Sequence, residues 1–326
     1  MRDRRATIRS ADNNMDFTFD TMTNAKTFLD IGTVGTPWGT AEKAQWRARQ
    51  TVKRRYGEDV LPRIRALAAR FEVLEYGRLA EDPTRYPLLA LKSRDWRDGL
   101  PAVLVTGGVH GYETSGVHGA LYFLETEASN YAGHVNFLVA PCISPWAYET
   151  IQRWNPQAVD PNRSFGNRAA QESAALLDFI APYRAQVAVH VDLHETTDTD
   201  ESEFRPALAA RDGKPFEPGT IPDGFYLVDD KASPQTAFQN AIITAVAQVT
   251  HIAPADTEGR LIGSPVVTPG VIEYPFRELG LCAGITDAKF KTTTEVYPDS
   301  PRTSPEECLQ AQSVAVRAAV EFLLAG

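Results

Sequence analysis

Short apolar, β-branched runs alternate along this chain with longer segments in which apolar residues recur at helical spacing. Runs at 72–76, 87–92, 102–106, 134–140, 185–195 and 291–296 predict strands. The segments 115–127, 169–180 and 235–249, and the stretch from Pro305, predict helices. The last opens on Ser304-x-x-Glu307 with proline at its first position, a capping box that satisfies two orphan amides reciprocally. Upstream, residues 40–70 are charged, with periodic Trp46, Val52, Val60, Ile64 and Leu67, and predict helix interrupted near Gly57 and Pro62. Residues 1–39, with Asn, Thr and Asp throughout, predict a poorly structured N-terminal segment ahead of a single domain over 40–326. Strands alternating with helices predict an α/β fold: a mostly parallel mixed sheet with helices on both faces, in three αβα layers. The chain has no internal repeat and no evident domain linker.

Two of the strands end in ionisable groups. The run Ala102-Val103-Leu104-Val105-Thr106-Gly107-Gly108 leads directly into His110-Gly111-Tyr112-Glu113, and Ala185 to Glu195 ends in His190-Val191-Asp192-Leu193-His194-Glu195. Ligands bind at the carboxyl ends of the strands in open α/β sheets. An imidazole and a carboxylate three residues apart on a glycine-loosened loop can close on one metal ion. Such a pair is usually a surface contact, and His194 at a second strand end supplies the third ligand that changes the reading. Two His and one Glu are a catalytic zinc set, with a fourth position left for water or substrate. His190 and Asp192 share the face of His194, since strand side chains alternate; His190 reads as a core residue and Asp192 as a support for the ligand. Glu195 faces the other way.

Other polar clusters add chemistry. Asp160-Pro161-Asn162-Arg163 offers a planar guanidinium beside an amide, a carboxylate clamp, and Arg153 precedes it. Glu295, near the end of the strand Thr292-Thr293-Thr294-Glu295, is a carboxylate outside the ligand set, as a proton acceptor for an activated water must be. Asp198, Asp200, Glu201 and Glu203 read as a solvated loop.

Bulk properties exclude several classes. A net charge of −9 and a pI near 5.3 argue against a nucleic-acid surface, which needs a basic patch. No apolar stretch approaches membrane-spanning length, and the basic start Met1-Arg2-Asp3-Arg4-Arg5 is followed by polar residues rather than an apolar signal core. Met15 is an alternative start. Three cysteines without close spacing, Cys142, Cys282 and Cys308, fit reduced thiols and a cytoplasmic location.

The ordered motifs resemble the zinc carboxypeptidase superfamily, the M14 metallopeptidases, which include the succinylglutamate desuccinylase/aspartoacylase branch. The resemblance rests on His110-x-x-Glu113, Pro145-x-x-Tyr148-Glu149, Arg153, Asp160-x-Asn162-Arg163-x-Phe165, His194 at a strand end and the Glu295 strand, and spans about 72–326. It implies one Zn2+ per chain on His110, Glu113 and His194, with Glu295 as general base and Arg153 stabilising the oxyanion. Asn162 and Arg163 would grip the substrate's free carboxylate, and Asp160 would accept the other ring N–H of His110. Tyr274 is a candidate for the family's mobile substrate tyrosine, and Pro161 inside the clamp motif is a departure that stiffens the loop.

The expected activity is a metallocarboxypeptidase hydrolysing the amide bond next to a free C-terminal carboxylate. The alternative is an N-acyl-amino-acid deacylase: the residues after Arg163 and the Thr-rich strand lean to the peptidase, Asp192-Leu193-His194 to the deacylase. The expected partner is a small peptide or N-acyl amino acid. A non-catalytic binding protein would show a broken ligand set or a missing base, and His110, Glu113, His194, Arg153 and Glu295 are all present.

Overall fold

The computed structural model describes residues 30–326. Helices α1 (Thr40–Ala48), α2 (Tyr56–Asp59) and α3 (Leu61–Ala66) come first, then strands β1 (Phe71–Arg78), β2 (Pro87–Ser93) and β3 (Ala102–Gly107). Helix α4 (Thr114–Thr126), strand β4 (Asn136–Ala140), helices α5 (Pro145–Thr150) and α6 (Gln171–Ile180) and strand β5 (Val187–Glu195) follow. The second half holds α7 (Arg205–Arg211), β6 (Tyr226–Asp230), α8 (Thr236–Val246), the short pair β7 (Arg260–Leu261) and β8 (Ser264–Pro265), then β9 (Val271–Tyr274), β10 (Phe290–Val296) and α9 (Pro305–Leu324).

Eight strands form one mixed sheet in the order β1-β2-β4-β3-β5-β10-β6-β9. The central pairs β4-β3, β3-β5 and β5-β10 are parallel, as is β6-β9. The β1-β2, β2-β4 and β10-β6 pairs are antiparallel. Alternation sorts the core into two layers. Val103, Val105, Val189, Val191 and Leu193 pack on one face with Val117, Leu121, Phe238 and Val316 of α4, α8 and α9. Ala102 and Leu104 point to the other face, against Leu176 and Ile180 of α6. This is the expected three-layer α/β arrangement.

The N-terminal helices depart from the expected boundaries. The chain breaks between α1 and α2 over 49–55 and again at Val60, whereas Pro62 sits in the first turn of α3, where its missing N–H costs nothing. Much of the segment expected to be poorly structured lies outside the described residues; within its described part Ile31 and Trp38 are buried. Trp38 packs edge-on to Trp154, and Trp46 contacts both Trp154 and Trp146. Strands β6 and β9, in the Pro/Gly/Asp-rich excursion, carry no prediction from the sequence; their apolar runs are four residues or fewer. The capping box of α9 is formed: Ser304 Oγ accepts from the Glu307 amide, and Glu307 Oε2 accepts from the Ser304 amide at 2.7 Å. Among the described residues, no helix is long and apolar enough to cross a membrane, and all three cysteines are free and buried.

The topology brings chemistry to one edge. Strands β3, β5 and β10 are parallel neighbours, so their carboxyl ends open on the same side. Helix α4 must start close above them, and Gly116 permits it: a Cβ there would lie 2.5 Å from the Leu193 carbonyl oxygen.

Candidate metal centre

His110 and Glu113 occupy the loop between β3 and α4, and His194 is the penultimate residue of β5. Their ligand atoms lie within 4.8 Å of one another, and all three residues are buried. His110 Nδ1 is 2.7 Å from Glu113 Oε1, and His194 Nδ1 is 2.7 Å from Glu113 Oε2. The opposite ring nitrogens meet other carboxylates: His110 Nε2 is 3.0 Å from Asp160 Oδ1, and His194 Nε2 is 2.9 Å from Asp192 Oδ2. With the Nε2 protons donated to Asp160 and Asp192, both Nδ1 lone pairs face the Glu113 carboxylate. Lone pairs facing oxygens at such distances repel unless a cation or a proton stands between them.

The same imbalance appears in the titration of the site. Burial works against a charged His194, yet Glu113 and Asp192 outweigh it and push the imidazole well above its usual range. Burial also opposes ionisation of Glu113, but the His194 and His110 rings hold it down at about 2. A dication satisfies the same surplus of negative charge without protonating a ligand. Glu113 Oε2 is buried with His194 Nδ1 2.7 Å away and no well-aligned hydrogen bond among the described residues, which suits an oxygen shared with a metal. The donor set therefore fits zinc.

Glycine at 111 makes the loop possible. A Cβ there would fall 2.0 Å from the Ala147 carbonyl carbon and the Tyr148 nitrogen, so the loop lies directly on α5. At the end of α5, Ile151 adopts a left-handed conformation (φ 54°), unusual for a β-branched residue. The following Gln152 carbonyl accepts from the Tyr112 amide, tying the turn back to the loop.

Glu295 is the in-register neighbour of His194 across the parallel β5-β10 pair. Its Oε2 accepts from Thr196 Oγ1 at 3.0 Å. Burial first, and then the Glu113 charge, push it up to about 8 against the opposing effect of His194. Arg153 donates from Nε to Asp160 Oδ2 (3.1 Å) and from Nη1 to Tyr112 Oη (3.3 Å) and Asp200 Oδ1 (3.4 Å). Its Nη2 makes no hydrogen bond among the described residues. Arg163 donates from Nη1 to the carbonyl of Asn162 (2.8 Å), and among the described residues no carboxylate pairs with it. Arg163 lines a cavity with His110, Glu113, His194, Glu295 and Tyr274, a space of about 1150 Å³. Asn162 is more committed than its motif suggests. Its Oδ1 accepts from the Cys282 amide at 2.8 Å, and Nδ2 lies 3.4 Å from His194 Nε2.

Of two acidic residues, Asp200 differs from its sequence reading and Glu195 faces away from the ligands as expected. Asp200, expected in a solvated loop, is buried, accepts from Tyr112 Oη at 2.8 Å and from the Thr197 amide, and faces Arg153. The Thr197-x-x-Asp200 spacing, which lets a carboxylate fold back on its own turn, was the available signal. Glu195 accepts from the Ser115 amide at the start of α4, so it caps that helix behind the site. His190, Asp192 and Cys282 form a second buried convergence, but Thr106 Oγ1 joins them, at 3.0 Å from His190 Nε2 and 2.6 Å from Asp192 Oδ1. That hydrogen-bonded group stands behind His194.

The overall fold matches solved structures. An inferred metallopeptidase from Shewanella amazonensis SB2B superposes with a TM-score of 0.60 at 21% identity, over 80% of this chain and 90% of that one. Carboxypeptidase A from Helicoverpa armigera gives a TM-score of 0.55 at 15% identity, over 87% and 78%. The chain has the zinc carboxypeptidase fold. A metallo-carboxypeptidase from Burkholderia cenocepacia shares it, with a TM-score of 0.54 at 15% identity over 80% of this chain and 67% of that chain. Residues 99–212 also match the family model of the succinylglutamate desuccinylase/aspartoacylase catalytic domain. That stretch contains His110, Glu113, Arg153, Asn162, Arg163 and His194 but stops short of Glu295. No curated protein sequence matches the chain. The chain is thus similar, in its fold and over residues 99–212 in its sequence, to zinc carboxypeptidase-type metallohydrolases.

Proposed function

We propose that this protein is a zinc-dependent metallocarboxypeptidase, hydrolysing the amide bond next to a free carboxylate. The observation that carries this reading is one convergence: three donor atoms within 4.8 Å, Glu295 in register beside His194, and an unpaired Arg163 guanidinium in the same cavity. His110, Glu113 and His194 would hold the metal through Nδ1, a carboxylate and Nδ1. When bound, a dication there supplies Lewis acidity, polarising the scissile carbonyl and acidifying a water.

The chain's own residues do the rest. Arg163 binds the terminal carboxylate through charge-assisted hydrogen bonds, and the Asn162 side-chain N–H adds to that grip. Arg153, held by Asp160 and Asp200, presents its Nη2 to the oxygen on which negative charge develops. Glu295 accepts the proton from the attacking water and delivers it to the departing amine. Its raised pKa falls towards a working value once positive charge neutralises Glu113 beside it.

The second reading is an N-acyl-amino-acid deacylase, favoured by the family match over 99–212. A cavity of about 1150 Å³ exceeds the roughly 300–1,000 Å³ typical of small-molecule sites and favours a peptide. Initial rates on peptides with varied C-terminal residues, set beside N-acetyl and N-succinyl amino acids, separate the two. Preference for the peptides supports the carboxypeptidase; turnover of the acyl amino acids alone replaces it with the deacylase.

A further inference from the structure

Arg54 belongs to the segment between α1 and α2, outside both the sequence resemblance and the family match. Its backbone is pinned to α5: the amides of Lys53 and Arg54 both donate to the Glu149 carbonyl, at 2.8 and 3.3 Å. Its side chain crosses the Tyr148 ring, with the guanidinium carbon 3.9 Å from the ring centroid. There Nε donates to the Tyr148 carbonyl at 2.6 Å, Nη1 to Thr114 Oγ1 and Nη2 to the Gly111 carbonyl. Among the described residues no carboxylate pairs with it.

An arginine spent on three neutral acceptors is uncommon, since guanidinium groups normally seek carboxylates. The choice of acceptors explains it. Gly111 directly follows His110 and Thr114 directly follows Glu113, and Tyr148 belongs to the helix on which that loop rests. The Thr114 hydroxyl passes the constraint on by donating to the Tyr112 carbonyl at 3.2 Å. One planar fork thus ties the residues adjoining both ligands to α5.

We propose that Arg54 is a positioning residue for the metal centre, holding His110 and Glu113 in the geometry that converges on the ion. The proposal rests on the zinc reading of the site. It makes the N-terminal segment part of the metal centre, although that segment supplies no ligand.

The test is zinc affinity, measured by chelator competition on the full chain, with melting of the metal-free protein recorded alongside. Arg54→Ala and Arg54→Lys should weaken zinc binding by about ten- to a hundredfold, the usual loss when a group supporting a ligand is removed. Lysine should not rescue, because one ammonium cannot span three acceptors. Thr114→Val, nearly isosteric, should weaken zinc in the same direction by less, and it decides the matter if both arginine variants fail to fold. A role in folding alone would lower the melting temperature of metal-free protein and leave zinc affinity unchanged; that result overturns the proposal. Unmodified protein that binds no zinc would instead sink the reading on which the proposal rests.

Discussion

His194 and Asp192 face each other across 2.9 Å, Nε2 to Oδ2, two residues apart on one face of β5. Thr106 Oγ1 donates to the other Asp192 oxygen at 2.6 Å, so the carboxylate cannot swing away. The pair fixes the Nε2–H tautomer and leaves Nδ1 for a metal. Asp192→Asn keeps the shape but loses the charge that makes the imidazole a strong donor. Zinc affinity should fall by about ten- to a hundredfold, measured by competition with a chromogenic chelator.

Glu295→Gln separates binding from proton transfer. Zinc content should be unchanged, while the turnover number should fall by on the order of 10²–10⁴ in steady-state assays. Turnover close to the unmodified enzyme's would remove Glu295 from the mechanism. Glu195 offers no substitute, because it is committed to the Ser115 amide.

Arg163 has no carboxylate partner among the described residues, and in the proposed reading the substrate supplies one. Amidating the substrate's C-terminus should cost roughly 1.5–3 kcal/mol, about ten- to more than a hundredfold in kcat/KM, because a charge-assisted hydrogen bond is lost. Arg163→Ala should slow hydrolysis of the free acid and narrow its advantage over the amide. Equal rates on acid and amide by the unmodified enzyme would point to endo-acting or ester-cleaving chemistry.

Glu172 gives stability a pH dependence away from the metal centre. It is buried; Oε2 accepts a 3.4 Å bond from Asn155 and Oε1 has no partner among the described residues, so burial pushes its pKa to about 7. The folded chain therefore keeps a proton between about pH 4.5 and 7 that the unfolded chain has released. Stability contributed by this group is full below that window, falls as pH rises through it, and stays low above. Glu172→Gln should remove this group's part of the slope, a differential of up to about 3 kcal/mol between pH 4.5 and 8. Urea unfolding of both proteins across that range reads it as a variant-minus-parent difference that grows in the variant's favour as pH rises.

The site was legible where chemistry sits at the end of a strong strand. The runs before His110 and His194 are apolar and β-branched, so the strands, and with them the shared sheet edge, follow from the pattern. The face shared by Asp192 and His194 follows from alternation alone. Asp200 was hidden because a run of acids reads as solvent-facing until Tyr112 and Arg153 are known to lie against it. Arg54 was hidden for a different reason: its acceptors are backbone carbonyls and a hydroxyl far along the chain, which leave no mark in residue types. Strands β6 and β9 escaped because short apolar runs among Pro, Gly and Asp carry too little periodicity, and pairing with β10 and with each other is what makes them strands.

The central claim is that His110, Glu113 and His194 hold one catalytic zinc. Elemental analysis of purified active protein, with His110→Ala measured beside it, tests this most directly. One zinc per chain in the parent and a clear loss in the variant is the predicted result. Active protein without metal, or a variant that keeps its full zinc, would contradict it.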